Sequence, residues 1–331
     1  SHVLAEWLGP HANLLDSRVA IRRIVPGQPR NNKITFVASI GLALLVGATI
    51  VEAERAPTGS VMHVAAVGDI HDEGASSVAA ATSAEAAKAD FILGLGDYQY
   101  DDGAMGKYNS YFDKDWGPNV PKMYPILAPN HDQFWKNADP LKYFNGGGAH
   151  GYKSPITLQP YTPYSFDKGS WHFIALPDAC SRTSGCSVSD ITSWLQQDLN
   201  THTNHCTIAF WHQPYFTSRS SHPQEASIKP WVDLLVANHV DIILQAHNHF
   251  YERFAPQNPA READPNGPQA FVVGTGGRHL DKFKGTAPNS VTRNNRTYGV
   301  LQLTLKDGSY DWQFVPVAGG TYTDSGSMNC R

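Results

Sequence analysis

An α/β fold is predicted from three observations. Short apolar runs of strand length recur from residue 61 almost to the C-terminus. Segments with helical apolar spacing alternate with them up to about residue 250. The composition, 41% hydrophobic and 17% charged over 331 residues, suits one large packed domain or two ordinary ones.

The strand-like runs come in order. VMHVAAVGDIH (61–71) opens the series. FILGLGDYQY (91–100), MYPILAPNHD (123–132), WHFIAL (171–176), CTIAFWHQP (206–214), VDIILQAHNH (240–249) and FVVGTGG (271–277) continue it, and VLQLTL (300–305) and YDWQFVPV (310–317) close it. The helical segments fall between them. SSVAAATSAEAAKA (76–89) is alanine-rich, and alanine is the best helix former. VSDITSWLQQDLN (188–200) puts Val188, Ile191, Trp194, Leu195 and Leu199 on one face. ASIKPWVDLLVANH (226–239) carries Pro230 near its first turn, where proline is tolerated. Beyond residue 250 strands predominate. No internal repeat or low-complexity block occurs.

Residues 34–51, ITFVASIGLALLVGATIV, are 18 residues without a charge. Arg22, Arg23, Arg30 and Lys33 precede them, and Glu52 and Glu54 follow. A basic flank, an apolar centre and small residues near Ala53 read as a signal peptide or signal-anchor helix over 34–53, behind a tail or leader at 1–33. The folded part is then secreted or held in the cell envelope, with membrane contact only through 34–51 if that segment is uncleaved. Export permits disulfides. The four cysteines allow three pairings. Cys180 and Cys186 bracket a short polar loop and are the expected local pair, leaving Cys206 with Cys330. The net charge of −4 and the lack of a basic run interleaved with aromatics speak against a nucleic-acid partner.

The polar clusters at the run ends carry the functional signal, because ligands in open α/β sheets bind beyond the carboxyl ends of strands. Asp69 and His71 follow the first run, Asp97 and Tyr100 the second, and Asn130, His131 and Asp132 the third. His212 ends the fifth, and His247 and His249 end the sixth, with the same-face spacing of alternate residues. Carboxylate, amide, imidazole and phenol donors without thiolate suit a pair of first-row ions such as Fe, Mn or Zn. Two such ions clamp an in-line displacement at phosphorus, and Asp97 is the natural bridge.

The ordered set GDIH (68–71), GDYQY (96–100), NHD (130–132), WH (211–212) and HNHFYER (247–253) resembles the calcineurin-like metallophosphoesterases. The similarity is greatest to the purple acid phosphatases and their secreted bacterial relatives, and covers roughly 62–320. It implies a four-layer α/β/β/α sandwich of two mixed sheets with a dimetal site at the strand ends, in a catalytic domain over 60–325. It also implies ligands. One metal takes Asp69, Asp97, His249 and either Tyr100 or His71, with Tyr100 favoured; the other takes Asp97, Asn130, His212 and His247. His131 contacts the phosphate and protonates the leaving oxygen, Asp132 orients His131, and Asn130 helps hold the phosphate. His222, in a polar loop after His212, is a further substrate contact.

The expected cofactors are Fe(III) with Fe, Zn or Mn, and the expected substrate is a small phosphate ester. The expected activity is a phosphomonoesterase using a dimetal-bound hydroxide for in-line attack. The alternatives are a phosphodiesterase or nucleotidase on the same site, or a metal-binding envelope protein with weakened catalysis. Three departures from the family pattern bear on that choice. This chain has both His71 and Tyr100, and it has Pro129 and Ala246 where the family has glycine. The GTGG run (274–277), Tyr251, Arg253 and the other histidines, His172, His202 and His279 among them, are read as structural.

Overall fold

The computed structural model describes residues 61–74, 76–128, 130–132, 139–178, 186–202, 204–218 and 220–331. The expected tail and signal segment, Pro129 and Cys180 lie outside the described residues. Among the described residues no helix is long and apolar enough to cross a membrane.

Two mixed sheets form the centre. The first has the strand order β13-β12-β11-β1-β2-β3. In it β1 (Met62–Val67), β2 (Phe91–Gly94) and β3 (Met123–Pro125) run parallel, while β11 (Gly299–Lys306), β12 (Ser309–Pro316) and β13 (Asp324–Asn329) form an antiparallel meander. The second has the order β10-β8-β9-β7-β6-β5-β4. Its parallel centre is β5 (Trp171–Ala175), β6 (Cys206–Phe210), β7 (Ile242–Gln245) and β9 (Gln269–Val273). Antiparallel strands flank it: β4 (Tyr164–Lys168) on one side, β8 (Tyr251–Phe254) and β10 (Ser290–Asn294) on the other.

Strand alternation builds the layers. Val64, Ala66, Leu93, Leu301 and Leu303 of the first sheet pack against Phe173, Ile208, Phe210, Leu244 and Phe271 of the second. The intervening residues point outwards. Ala65, Val67 and Ile92 meet α1 (Ser76–Ala86) and the helical stretch of α2 (Met105–Lys107), the π turn Tyr108–Phe112 and α3 (Asp113–Asp115). Ile174, Ala209, Ile243 and Val272 meet α5 (Val188–Thr201) and α6 (Lys229–Ala237); α4 (Asp139–Phe144) joins the first helical layer. The result is the expected α/β/β/α sandwich. Strands buried on both faces read as continuous apolar runs, which is why they were legible.

Helix starts follow the local chemistry. Ser187 caps α5, its hydroxyl accepting the Asp190 N–H at 3.2 Å. Pro230 sits in the first turn of α6, after a 3-10 turn at Ala226–Ile228.

Four strands had no apolar run to announce them: β4, β8, β10 and β13. Three of these are sheet edges. Their sequences, YSFDK, SVTRN and DSGSMN, are polar, as edges open to solvent need to be.

Cys206 and Cys330 are bonded, with Cα atoms 5.4 Å apart, and tie the C-terminus to the start of β6. At the β4–β5 edge His172 is gripped on both nitrogens. Nδ1 lies 2.6 Å from Asp167 and Nε2 lies 2.9 Å from Asp198 of α5, and His202 stacks on its ring at 4.2 Å. Burial works against the imidazolium, but the hydrogen bonds to Asp198 and Asp167 prevail and raise His172 above its ordinary 6.5. Burial likewise opposes the Asp198 carboxylate, yet the bonds from His172 and Ser165 hold it below 3.8.

Two stability predictions follow. Cys206→Ser with Cys330→Ser lowers stability by about 2–5 kcal/mol in denaturant unfolding, because the bond closes a span of 124 residues. For His172, the raised value means its stabilisation is complete below 6.5 and is lost as pH climbs through the folded-state value. The depressed Asp198 contributes fully above 3.8 and loses its contribution as pH falls through its own folded-state value. The ion pair is therefore fully present between these limits. His172→Gln should lower Tm more at about pH 5.5 than at about pH 9, and equal losses at both would show the pair to be inert.

Candidate metal centre

Five parallel strands from the two sheets end at one rim. The turn after β1 carries Asp69, the turn after β2 carries Asp97 and Tyr100, and β3 leads to Asn130. From the second sheet β6 delivers His212, and β7 delivers His247 and His249. Three of these residues hold backbone conformations that side chains disfavour: Asp69 at φ 58°, Asp97 at φ 53° and His247 at φ 66°. Such angles persist only where the surroundings enforce them, and they cluster at functional sites.

The side chains converge. The Tyr100 hydroxyl stands 2.6 Å from Asp69 Oδ1, 2.9 Å from Asp97 Oδ2 and 3.3 Å from His249 Nε2. Asn130 donates its amide to Asp97 Oδ2 at 2.9 Å. His212 Nε2 lies 3.2 Å from the same carboxylate oxygen and 3.1 Å from His247 Nδ1. His249 Nε2 lies 3.3 Å from Asp69 Oδ1. The opposite edges of two rings are fixed by backbone carbonyls, His212 Nδ1 on Leu95 at 2.7 Å and His249 Nδ1 on His279 at 2.9 Å. This is how ligating histidines are oriented. The Asp69 carboxylate also takes the backbone N–H of His247 at 2.8 Å, joining the two sheets.

The donor set fits a pair of cations. Asp97 Oδ1 and Asn130 Oδ1 are buried with no hydrogen-bond partner, as a ligand oxygen awaiting an ion would be. Burial disfavours the Asp97 carboxylate, yet positive charge on His212 holds it far below the usual carboxylate range. Burial would also lower His212, but Asp97 pushes it up to about 10. Burial and the neighbouring His212 press His247 well below 6.5. One imidazole thus carries the positive charge that the pocket demands while its neighbour stays neutral, an arrangement a metal ion would satisfy for both. Asp97, His212 and His247 each offer a ligand atom, all within 4.8 Å of one another.

The described contacts of two residues differ from those that sequence reasoning expected. His71 is fully buried with its Nε2 on Asp115 Oδ2 at 2.9 Å. Its carbonyl takes the Tyr100 N–H at 2.8 Å, but the described contacts of its ring are with Asp115 and Tyr111 of the helical stretch over 105–115, and Nδ1 is buried without a hydrogen-bond partner. No described contact joins the Asp132 carboxylate to His131. That carboxylate accepts the backbone N–H groups of Asp97, Tyr98 and Ala128 at 2.6, 3.2 and 3.0 Å, and the Tyr108 hydroxyl at 3.2 Å. Burial and the nearby Asp97 carboxylate push it up to about 7. It shapes the turn that presents Asp97. His131 instead meets the Asp101 carbonyl through Nδ1, and its ring centroid lies 4.4 Å from that of Tyr100. His222 lies over the rim, its ring 4.5 Å from His247 and its Nδ1 3.3 Å from Asp281.

Glycines allow the close approach of backbone to these groups. Gly96, at φ 89°, lies so close to His212 that a Cβ there would come within 2.9 Å of Nδ1. The GTGG run packs rather than cradles: a Cβ on Gly274 would meet the Asn248 carbonyl at 2.2 Å, and the Gly276 N–H donates to the Gly68 carbonyl. Ala246 is buried against Gly68, where a second Cβ would come within 2.7 Å of its methyl. Tyr251 and Arg253 bind Asp324 of β13, at 2.7 Å from the hydroxyl and 2.7 and 2.9 Å from the guanidinium. Residues that sequence reasoning missed are Asp115, Arg278 and Asp281. The last two follow FVVGTGG, a run end like the others, and that was the available signal.

The profile of the calcineurin-like phosphoesterases matches residues 62–251. The chain belongs to this family. Among curated proteins it is similar to purple acid phosphatase 18 of Arabidopsis thaliana, 30% identical over 158 residues, covering 44% of this chain and 35% of the relative. Purple acid phosphatase 22 of the same plant is 31% identical over 154 residues, again 44% of this chain, and 34% of the relative. The chain thus spans about a third of the length of these relatives. Among solved structures, the purple acid phosphatase PPD1 of yellow lupin (Lupinus luteus) superposes with a TM-score of 0.62 at 18% identity, over 82% of this chain and 54% of that one. The Plasmodium inner-membrane-complex anchor GAP50 superposes at 0.61 with 14% identity, over 82% and 89%. At such identities these two likenesses speak for the fold.

The contacts of Asp132 predict a structural effect. Asp132→Ala strands three buried N–H groups and should cost about 3 kcal/mol or more in unfolding of the metal-free protein. A loss of turnover with unchanged stability would return Asp132 to the role of orienting a catalytic group.

Proposed function

We propose that this chain is an exported, metal-dependent phosphoric ester hydrolase acting on small phosphomonoesters. The observation that carries the reading is the meeting of Tyr100, Asp69 and Asp97 from one sheet with His212, His247 and His249 from the other, around buried oxygens that lack partners. Asp69, Asp97, Tyr100 and His249 would hold one ion, and Asp97, Asn130, His212 and His247 the second. Bound there, Fe(III) with Fe, Zn or Mn would supply Lewis acidity, making water a nucleophile near neutral pH and neutralising charge on the phosphoryl oxygens.

The side chains at the rim do the remaining work. Asn130 and His222 would hold the phosphate. His131 has Nδ1 engaged by the Asp101 carbonyl, which leaves Nε2 to donate a proton. Water oxygen bonds to phosphorus and loses a proton to solvent, the ester P–O bond breaks opposite to it, and the His131 proton goes to the departing alkoxide. The Cys206–Cys330 bond supports an oxidising location, secreted or in the cell envelope. Phosphodiester or nucleotide substrates would use the same centre. The Ala246 methyl has room because Gly68 faces it, which speaks against weakened catalysis at that position.

Asp97→Ala should abolish binding of both metals by elemental analysis. His131→Ala should keep both metals and lower the rate of p-nitrophenyl phosphate hydrolysis about 10²–10⁴-fold. Full turnover in His131→Ala would remove that residue from acid catalysis, and two metals retained by Asp97→Ala would refute the bridge.

A further inference from the structure

Arg278 lies in the loop after β9, immediately beyond the close-packed GTGG run. Its guanidinium stacks on the Tyr100 ring, with Cζ 4.4 Å from the ring centroid. Nη1 pairs with Asp72 of the loop after β1 at 2.6 Å, and Nη2 pairs with Asp101 of the loop after β2 at 2.7 Å. The Arg278 backbone N–H donates to the Asp69 carbonyl at 3.0 Å. One residue of the second sheet thus grips the two loops of the first sheet that carry Asp69, Asp97 and Tyr100. It also reaches His131, because the Asp101 that it pairs with is the residue whose carbonyl takes His131 Nδ1. Nη1 and Nη2 each face a carboxylate, while Nε is buried without a hydrogen-bond partner. The planar fork and flat cation are what this geometry needs. Lysine could keep the charge but not the two-pronged grip or the stacking.

We propose that Arg278 is a positioning residue of the metal centre. By clamping Asp72 and Asp101 and stacking on Tyr100, it aims the phenol oxygen at Asp69 and Asp97 and sets the electronic character of that oxygen toward bound iron. The proposal rests on the reading of Tyr100 as an iron ligand. A positive charge on the ring face lowers the energy of phenolate electrons by direct Coulomb attraction. Removing it takes that charge from the ring face, raises the donor level and narrows the gap to Fe(III). The phenolate-to-iron absorption band should therefore move to longer wavelength.

The test uses the full chain loaded with iron, as wild type, Arg278→Met and Arg278→Lys. Visible absorption, iron per chain, and kcat and KM for p-nitrophenyl phosphate are measured on each. In Arg278→Met the band shifts to longer wavelength, iron affinity falls about tenfold, and kcat falls more than KM rises. Arg278→Lys shifts the band less. An unmoved band at full iron occupancy in Arg278→Met overturns the proposal, as does a rise in KM alone, which would make Arg278 a substrate contact. If Arg278→Met does not fold or load iron, Arg278→Gln, which also removes the charge, decides, and an unshifted band there has the same force. An iron-loaded wild type without a visible band would instead sink the assignment of Tyr100 as a ligand, and the proposal with it. A coloured wild type beside an equally coloured variant isolates the failure to Arg278.

Discussion

The buried carboxylate of Asp97 is where the two sheets meet chemically. One of its oxygens is shared by the Tyr100 hydroxyl and the Asn130 amide from the first sheet and by His212 Nε2 from the second, at 2.9, 2.9 and 3.2 Å. A negative group removed from water on every side demands positive charge or a cluster of donors. The surrounding turns are arranged around that demand. Asp132 holds the backbone of the Asp97 turn through two N–H groups, those of Asp97 and Tyr98, and Gly96 leaves room for His212 beside it. The Asp69 carboxylate crosses to the His247 amide. The contacts of His212 with Asp97 and of Asp69 with His247 exist only because both sheets end at the same level.

That level is set by packing at a distance from the site. Parallel β1–β3 and parallel β5, β6, β7 and β9 face each other across a continuous apolar layer. Their pairing registers bring the carboxyl ends to one rim. Burial in the sandwich is the source of stability, and the rim spends some of it on residues at positive φ and on convergent polar groups. The Cys206–Cys330 bond and the Arg253–Asp324 pair restrain the C-terminal β13 and the residues that follow it. The last strand, polar and at an edge, has little apolar surface of its own to hold it.

Strand ends were legible as a series because a buried parallel strand needs a run of apolar residues, and a functional group can only follow where that run stops. The order Asp69, Asp97, Asn130, His212, His247 and His249 is thus visible along the chain. The edges β4, β10 and β13 were not, since solvent on one side removes the apolar signature and pairing alone makes them strands. Asp281 and Arg278 carry the same run-end signal after Val273 as the other residues. What hid them is that neither belongs to a motif, and their partners lie 59 residues away at His222 and on the loops after β1 and β2.

By itself the sequence determined the α/β alternation, the donor types, the lack of thiolate among them and the strand ends at which they stand. These depend on local periodicity and on chemistry written into single residues. The tertiary structure alone decided which donors meet. It turned His71 toward Asp115, gave Asp132 to the backbone of the Asp97 turn, and laid Arg278 on Tyr100. Each of those outcomes is a choice among partners far apart in the chain, settled by where a helix or loop from another layer happens to pack. Residue order carries no distance information of that kind until the sheets have closed on one another.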